Sequence, residues 1–339
     1  MRKNFKTRNI IAIIPVAGVG SRLRPHTHTQ PKALIPVAGK PILAHIVDNL
    51  MELGIVEFVF VIGYLGDKIK QFIEMSYPDN INHFVFQEEM KGSGHAVSLA
   101  KKFVNKPTLI IYGDTIIKGD ISHGIESELD ANLGVTVVDD PRRFGIVEKN
   151  EDGIVNNLIE KPDFVRKSEV LVGVSFIRNY KLLFDCLDEI IRKNMKTKGE
   201  FYLTDGFGMM VKKGAKITTF PVEGWLDCGK IDTLLETNAY LLKNMSSTDD
   251  PVIKGNSIII PPAYISPSAK LSNSIVGPNV SIGNDCVIEN SIMSNSIISN
   301  NTSILSSHLA SSVIGQEVEV SGKANKLNIG DHSSFGFEE

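Results

Sequence analysis

The chain has three cysteines in 339 residues, Cys186, Cys228 and Cys286, and no two of them form a Cys-x-x-Cys pair. That spacing argues against a disulfide framework, and a reducing cytoplasm is the expected home. No stretch approaches the ~20 apolar residues needed to span a bilayer, so no membrane partner is expected. The basic residues from Arg2 to Arg8 precede an apolar run, as in a signal peptide. That run breaks at Pro15 and Gly18 without a convincing small-residue cleavage site. Acidic residues are missing from positions 1–47, which carry eight Lys or Arg, although the whole chain has a net charge of −3. A local positive field on an acidic background suits a small, highly charged anion. A long polyanion would favour a broad basic face, so no nucleic acid partner is expected.

Within that acid-free stretch, Ile10 to Ile14 is apolar and β-branched, as a buried parallel strand is. It feeds the small-residue turn Ala17-Gly18-Val19-Gly20-Ser21, which lets backbone approach a ligand closely. Successive amides in such a turn hold anions, and Arg22, Arg24 and Lys32 add full charge beside it. The turn is neither of two common phosphate motifs. Arg22 stands where a dinucleotide fingerprint needs its third glycine, and no Gly-Lys-Ser/Thr follows as in a Walker A loop.

An apolar content of 42% with 22% charged residues is that of an ordinary globular protein, long enough for two domains. Leu43 to Leu53 has helical spacing and ends at Gly54, a C-cap. Phe58 to Ile62 reads as a buried strand, 65–76 as an amphipathic helix and Phe84 to Phe86 as a short strand. This alternation predicts a mostly parallel sheet covered by helices, with ligands beyond the carboxyl ends of the strands. Gln87 follows one such strand and leads into Lys91-Gly92-Ser93-Gly94-His95. Its amide has the donor and acceptor that a pyrimidine edge requires, while a polar loop capping a helix near His95 is the plainer alternative. Thr108 to Asp114 is a strand ending in a carboxylate, costly to bury unless paired or bound to metal. Trp225-Leu226-Asp227-Cys228-Gly229 supplies a second acid in a similar setting. Two carboxylates plus the oxygens of a bound anion suit Mg²⁺, and two separate helix-capping aspartates are the alternative.

A polar linker at 246–254 separates a domain of residues 1–245 from one of residues 255–339. From Ser257 to Ile314 only Lys270, Asp285 and Glu289 are charged, and Ser, Asn and Ile abound. Val276, Ile282 and Ile288 are spaced by six, as are Ile265 and Leu271, Ile298 and Ile304, and Ile314 and Val320. Six-residue periodicity with interspersed Gly, Asn and Ser is the mark of a parallel β-helix. At roughly eighteen residues per turn there is room for three or four turns, irregular because the phase slips. His308 alone gives no acyltransferase site. One flat apolar face implies a homo-oligomer.

The pattern Gly-x-Gly-Ser-Arg-Leu-x-Pro-x-Thr, then Pro-Lys-x-Leu-x-Pro-Val-x-x-Lys-Pro-Ile, resembles the signature of the sugar-1-phosphate nucleotidyltransferases. With the C-terminal repeat, the chain resembles long-form glucose-1-phosphate thymidylyltransferases. The resemblance implies a Rossmann-like, mostly parallel sheet domain followed by a small left-handed parallel β-helix. It implies that Ala17, Gly18, Gly20, Ser21 and Arg22 hold the triphosphate, Lys32 the α-phosphate, and Gln87 and Gly92 the base. Asp114 and Asp227 would converge on Mg²⁺. Gly145, Glu160, Lys161 and Gly173 would take the sugar phosphate. Lys198 stands where relatives often have Arg, keeping the charge but losing the bidentate fork. By itself Glu160-Lys161 also fits a solvated surface pair. The partners implied are a nucleoside triphosphate, dTTP foremost, and a sugar 1-phosphate, glucose 1-phosphate foremost. Gly92-Ser93-Gly94-His95-Ala96 also resembles uridylyltransferases of N-acetylglucosamine 1-phosphate. A non-catalytic regulatory subunit of the same fold is a third alternative, disfavoured by the intact charged residues.

Overall fold

A computed structural model describes residues 9–245, 250–322 and 326–335. The basic segment from Arg2 to Arg8 and positions 246–249 of the expected linker lie outside the described residues. The chain divides into two compact units, residues 9–18 with 46–225, and residues 19–45 with 226–335.

The first unit is built on a nine-stranded sheet. Its strands are β1 (Ile11–Pro15), β2 (Glu57–Ile62), β3 (Ile81–Phe86), β4 (Thr108–Ile111), β5 (Ala131–Val138), β6 (Gly145–Lys149), β7 (Val155–Glu160), β8 (Ser168–Ile177) and β9 (Ile217–Pro221). The main path runs β7-β6-β8-β4-β1-β2-β3, and β5 joins β8 to β9 off that path. Strands β4, β1, β2 and β3 are parallel, with Ile13 beside Val59 and Ile110, and Phe60 beside Phe84. β8 turns the sheet antiparallel, pairing with β4, β5 and β6. The unbroken apolar runs that predict β1 and β2 are buried throughout, since parallel strands are covered on both faces.

Helix α1 (Ile42–Glu52) ends where expected: the Gly54 amide donates to the Met51 carbonyl with a positive φ. α2 (Gly66–Ser76) and α3 (Ser93–Leu99) complete the crossovers. α4 (Tyr180–Arg192) and α5 (Leu203–Lys212) bury Leu183, Leu187, Phe207 and Met210 in the same core as β1 and β5.

In the second unit three columns of short parallel strands form a β-helix, consistent with the left-handed class. Val276, Ile282, Ile288, Ile298, Ile304, Ile314 and Val320 all point into its core, and Ile265 and Leu271 pack against it. The coils are shorter than eighteen residues. Lys270 stands beside Val287, Val287 beside Ser303, Ser303 beside Glu319 and Glu319 beside Ser334, steps of 17, 16, 16 and 15. Two faces therefore carry five rungs among the described residues, where three or four turns are expected. The corners shorten because single Asn or Ser residues, such as Asn290, Asn301 and Ser306, take a left-handed turn.

The N-terminal segment of this unit packs on the coil. Its strands Pro36–Val37 and Lys40–Pro41 form a hairpin through Ala38 and Gly39, both at positive φ. A Cβ on Gly39 would stand 2.5 Å from the Tyr264 ring, so only glycine fits. Helix α6 (Ile231–Met245) contributes the fully buried Asn238. Its Oδ1 accepts from the Ala38 amide and the Ser281 hydroxyl, both at 2.8 Å, and its Nδ2 donates to the Asn279 carbonyl at 3.1 Å. One amide thus ties hairpin, helix and coil together. Asn238→Leu leaves buried donors unpaired and is expected to destabilise the second unit by about 2–4 kcal/mol, read as a lower midpoint in a thermal melt.

Candidate active site

Four parallel strands end at one edge of the sheet, and the expected ligand residues of the first unit follow them there. Ala17 and Gly18 come after β1, Gln87 directly after β3, and Asp114 after β4. Loop and acid are brought together by backbone: the Gly113 amide donates to the Pro15 carbonyl at 3.2 Å. A Cβ on Gly113 would stand 2.1 Å from Val16, so the position next to Asp114 needs glycine. Asp114 Oδ1 accepts from the Thr115 hydroxyl at 3.1 Å.

Gln87 is buried, with Nε2 donating to the Gly92 carbonyl at 3.4 Å and lying 3.0 Å from His95 Nδ1. An amide NH₂ only donates, so Nδ1 accepts and the ring is neutral. Burial, then the charge of Lys91, holds His95 below its ordinary value despite Glu89. Gly92 has a φ of +106° and a Cβ there would meet the Phe201 carbonyl at 2.5 Å. The loop is zipped to that segment: Phe201 N donates to Lys91 O at 2.9 Å and Gly94 N to Phe201 O at 2.8 Å.

Three of the sugar-phosphate candidates, Gly145, Glu160 and Gly173, line a cavity of about 300 Å³ within the first unit. β6 and β7 pair as the hairpin that the sequence suggests, with Glu160 directly beside Gly145. Glu160 Oε2 accepts from the Thr204 hydroxyl at 2.7 Å, and a Cβ on Gly145 would stand 2.8 Å from that hydroxyl. Burial raises the Glu160 carboxyl above its ordinary value, against the opposing pull of Thr204 and Lys161. Gly173, at a φ of +81°, lies under the Tyr112 ring and accepts from the Tyr112 amide at 3.0 Å. Burial pushes the Tyr112 phenol up to about 12.

Lys161 reaches Tyr202, its ammonium donating to the phenol oxygen at 2.6 Å and lying 4.4 Å from the ring centroid. Burial lowers its pKa, yet Tyr202 and Glu160 outweigh that and raise it overall. Lys198 donates to the Lys161 carbonyl at 2.6 Å and to Asp163 at 2.8 Å. Gly145, Glu160, Lys161 and Lys198 therefore meet in one place, with the Lys198 side chain 45% exposed.

In the second unit, Gly20 is at positive φ against Lys32, whose side chain is buried. The Thr27 hydroxyl donates to the Gly20 carbonyl at 3.0 Å. Ser21 and Arg22 open a short 3-10 turn, and both are exposed. Asp227 Oδ1 accepts from the Gly229 amide at 2.8 Å, and a Cβ on Gly229 would stand 3.0 Å from the Arg22 guanidinium. Arg22 and Asp227 are thus neighbours.

Several lining residues escape sequence reasoning. Tyr112, Arg143, Tyr202 and Thr204 all border the cavity. A faint signal existed for one of them: Tyr202 stands at the N-cap of α5, an unusual residue for that position, and its amide donates to Asp205 at 3.3 Å.

A mostly parallel sheet whose strand ends lead into a glycine-rich turn, Gln87 and Asp114 defines an α/β protein that binds its ligand at the carboxyl edge. The nucleotidyl transferase family model matches residues 11–244. The chain is 29% identical to a glucose-1-phosphate thymidylyltransferase of Streptomyces griseus, covering 95% of this chain and 98% of that protein. It is 33% identical to the bifunctional protein GlmU of Methanococcus vannielii over 72% of this chain and 57% of that one. A crystal structure assigned as a Bacillus anthracis glucose-1-phosphate thymidylyltransferase, in complex with sucrose, superposes with a TM-score of 0.59 at 26% identity. It covers 68% of this chain and 94% of its own. The chain belongs to the nucleotidyl transferase family.

The raised Glu160 pKa has a stability consequence. The fold favours the protonated carboxyl, so this stabilisation is full below the ordinary value of 4.5 and is lost as pH rises through the higher folded value. Glu160→Gln, always neutral, is expected to melt above the wild-type protein at pH 8, with the difference closing towards pH 4.

Proposed function

We propose that the protein transfers a nucleotidyl group from a nucleoside triphosphate to a sugar 1-phosphate, releasing pyrophosphate, with dTTP and glucose 1-phosphate as substrates. The observation that carries this reading is the cavity around Glu160. At about 300 Å³ it has the size of a small-ligand site. The aromatic rings of Tyr112, Phe144, Tyr202 and Trp225 offer flat faces for the C–H groups of a pyranose. Glu160, Thr204 and the backbone at Gly145 and Gly173 offer partners for its hydroxyls. The long, near full-length match to a thymidylyltransferase supports dTTP. The match to GlmU proteins supports UTP as the second reading.

In the proposed reaction an oxygen of the sugar 1-phosphate forms a bond to the α-phosphorus as the bond to the β-phosphate breaks. Positioning and charge neutralisation carry such a step, and no nucleophilic side chain is needed. The amides of residues 17–21 and the Arg22 guanidinium are assigned to the triphosphate, and Lys32 to the α-phosphate. Gln87 and Gly92 are assigned to the base, and Lys161 and Lys198 to the incoming phosphate. Asp114 and Asp227 provide hard oxygen donors, the donor class that Mg²⁺ takes together with phosphates; the Thr115 hydroxyl donates to the first and the Gly229 amide to the second. Such an ion supplies charge neutralisation at the phosphate oxygens. We assign catalysis to residues 1–245 and self-association to the β-helix face. No described helix is long and apolar enough to cross a membrane.

A matrix of four nucleoside triphosphates against several sugar 1-phosphates, read by pyrophosphate release with Mg²⁺, tests the assignment. Turnover is expected to peak with dTTP and glucose 1-phosphate; a peak with UTP selects the second reading, and silence throughout overturns both. Lys32→Ala and Asp227→Ala are each expected to lose about 10²–10³ in kcat, and near-normal turnover in either removes its assigned role.

A further inference from the structure

The loop proposed to hold the triphosphate is supported from below by the end of the β-helix, within the second unit. His26 is buried and its Nε2 lies 2.7 Å from the Asn328 side-chain oxygen. An amide oxygen only accepts, so Nε2 carries the proton. Three residues on, the Thr29 hydroxyl donates to Asp331 Oδ2. Gln30 Nε2 donates to Gln316 Oε1 at 3.0 Å. Asp331 Oδ1 also accepts from the Gln316 amide at 2.8 Å, locking two successive coils where they meet the loop. Gly330 completes the contact, since a Cβ there would stand 3.0 Å from Pro25.

These contacts reach the phosphate-binding residues through a short chain. His26 is bonded to Thr27, whose hydroxyl holds the Gly20 carbonyl at 3.0 Å. Gly20 in turn packs against the Lys32 stem, with room for no Cβ beyond 3.0 Å. The 3-10 turn carrying Arg22 begins on that Gly20, through Leu23 N to Gly20 O at 2.9 Å. The three side-chain contacts are polar and directional, and all end on the 26–30 segment. A face needed only for burial has no reason to spend its Asn, Asp and Gln there.

We propose that Asn328, Asp331 and Gln316 are positioning residues: through His26, Thr29 and Gln30 they fix the 20–32 loop in the conformation that presents Arg22 and Lys32 to the triphosphate. The inference rests on the nucleotidyl-transfer reading for its kinetic consequence, but not for its structural one.

The test uses the full chain with Asn328→Ala, Asp331→Ala and Gln316→Ala combined. Hydrogen exchange of the amides in 20–31 is expected to accelerate about tenfold or more, with 108–111 in β4 unchanged. In pyrophosphate release, KM for the nucleoside triphosphate is expected to rise about tenfold, with KM for the sugar 1-phosphate within about twofold. Asn328→Asp and Asp331→Asn each keep an acceptor and restore both readouts. Should the triple variant fail to fold, Gln316→Ala alone carries the test at about threefold. Unchanged exchange in 20–31, faster exchange without a change in nucleotide KM, or an equal rise in both KM values overturns the proposal. A wild-type protein that turns over no nucleotide defeats the nucleotidyl-transfer reading instead, and exchange still reports whether the coil holds the loop.

Discussion

Parallel pairing of four strands is the constraint on which the first unit depends. Parallel neighbours need crossovers, and the crossovers cover both faces of the sheet, so only its ends remain open to a ligand. β1, β2, β3 and β4 then deliver their carboxyl ends to one edge, and the chain leaves each strand through a short turn. The Gly113 amide on the Pro15 carbonyl shows how tight that edge is. The glycines at 92 and 113 belong to the same economy of space, since backbone or a core side chain fills the volume a Cβ would need.

Beside this edge the sheet reverses direction, and the reversal makes the cavity. β8 lies between β4 and β6 and brings Gly173 under Tyr112, while the β6–β7 hairpin aligns Gly145 with Glu160. A carboxylate held near aromatic rings by a single hydroxyl is poorly solvated in the free protein. In the proposed reading, hydroxyl groups of the sugar would supply the partners that burial denies this carboxylate. Lys161 is fixed similarly, by a phenol and a ring face rather than by an acid. Its ammonium makes no direct ion pair among the described residues, although the nearby Glu160 charge acts on it.

The parallel half of the fold was legible in the sequence because burial on both faces writes continuous apolar runs, as in Ile11–Pro15 and Phe58–Ile62. β3 was only half legible: it begins at Ile81, but Asn82 and His83 face partly outward at the sheet edge and interrupt the pattern. The hexad marks the inward-pointing residues of the coil, while the corner turns, where residues are lost, leave no periodic trace. At the site, residues that follow strands or glycine turns could be named in advance. Tyr202 and Thr204 could not, because they meet Lys161 and Glu160 across 41 and 44 residues of sequence. No local pattern encodes such a meeting. The same holds for His95, whose partner Gln87 is reached only by the bend at Gly92.

Thr29 and Asp331 are 302 residues apart along the chain, yet they share a hydrogen bond. During synthesis, at roughly 5–20 residues per second, the earlier of the two waits many seconds for the later. The strands of the sheet meanwhile emerge with all their neighbours and can collapse as a unit. The segment around His26 thus leaves the ribosome early and acquires its buttress late. A nascent chain stalled before its final coils would hold a complete sheet beside an unbraced N-terminal turn.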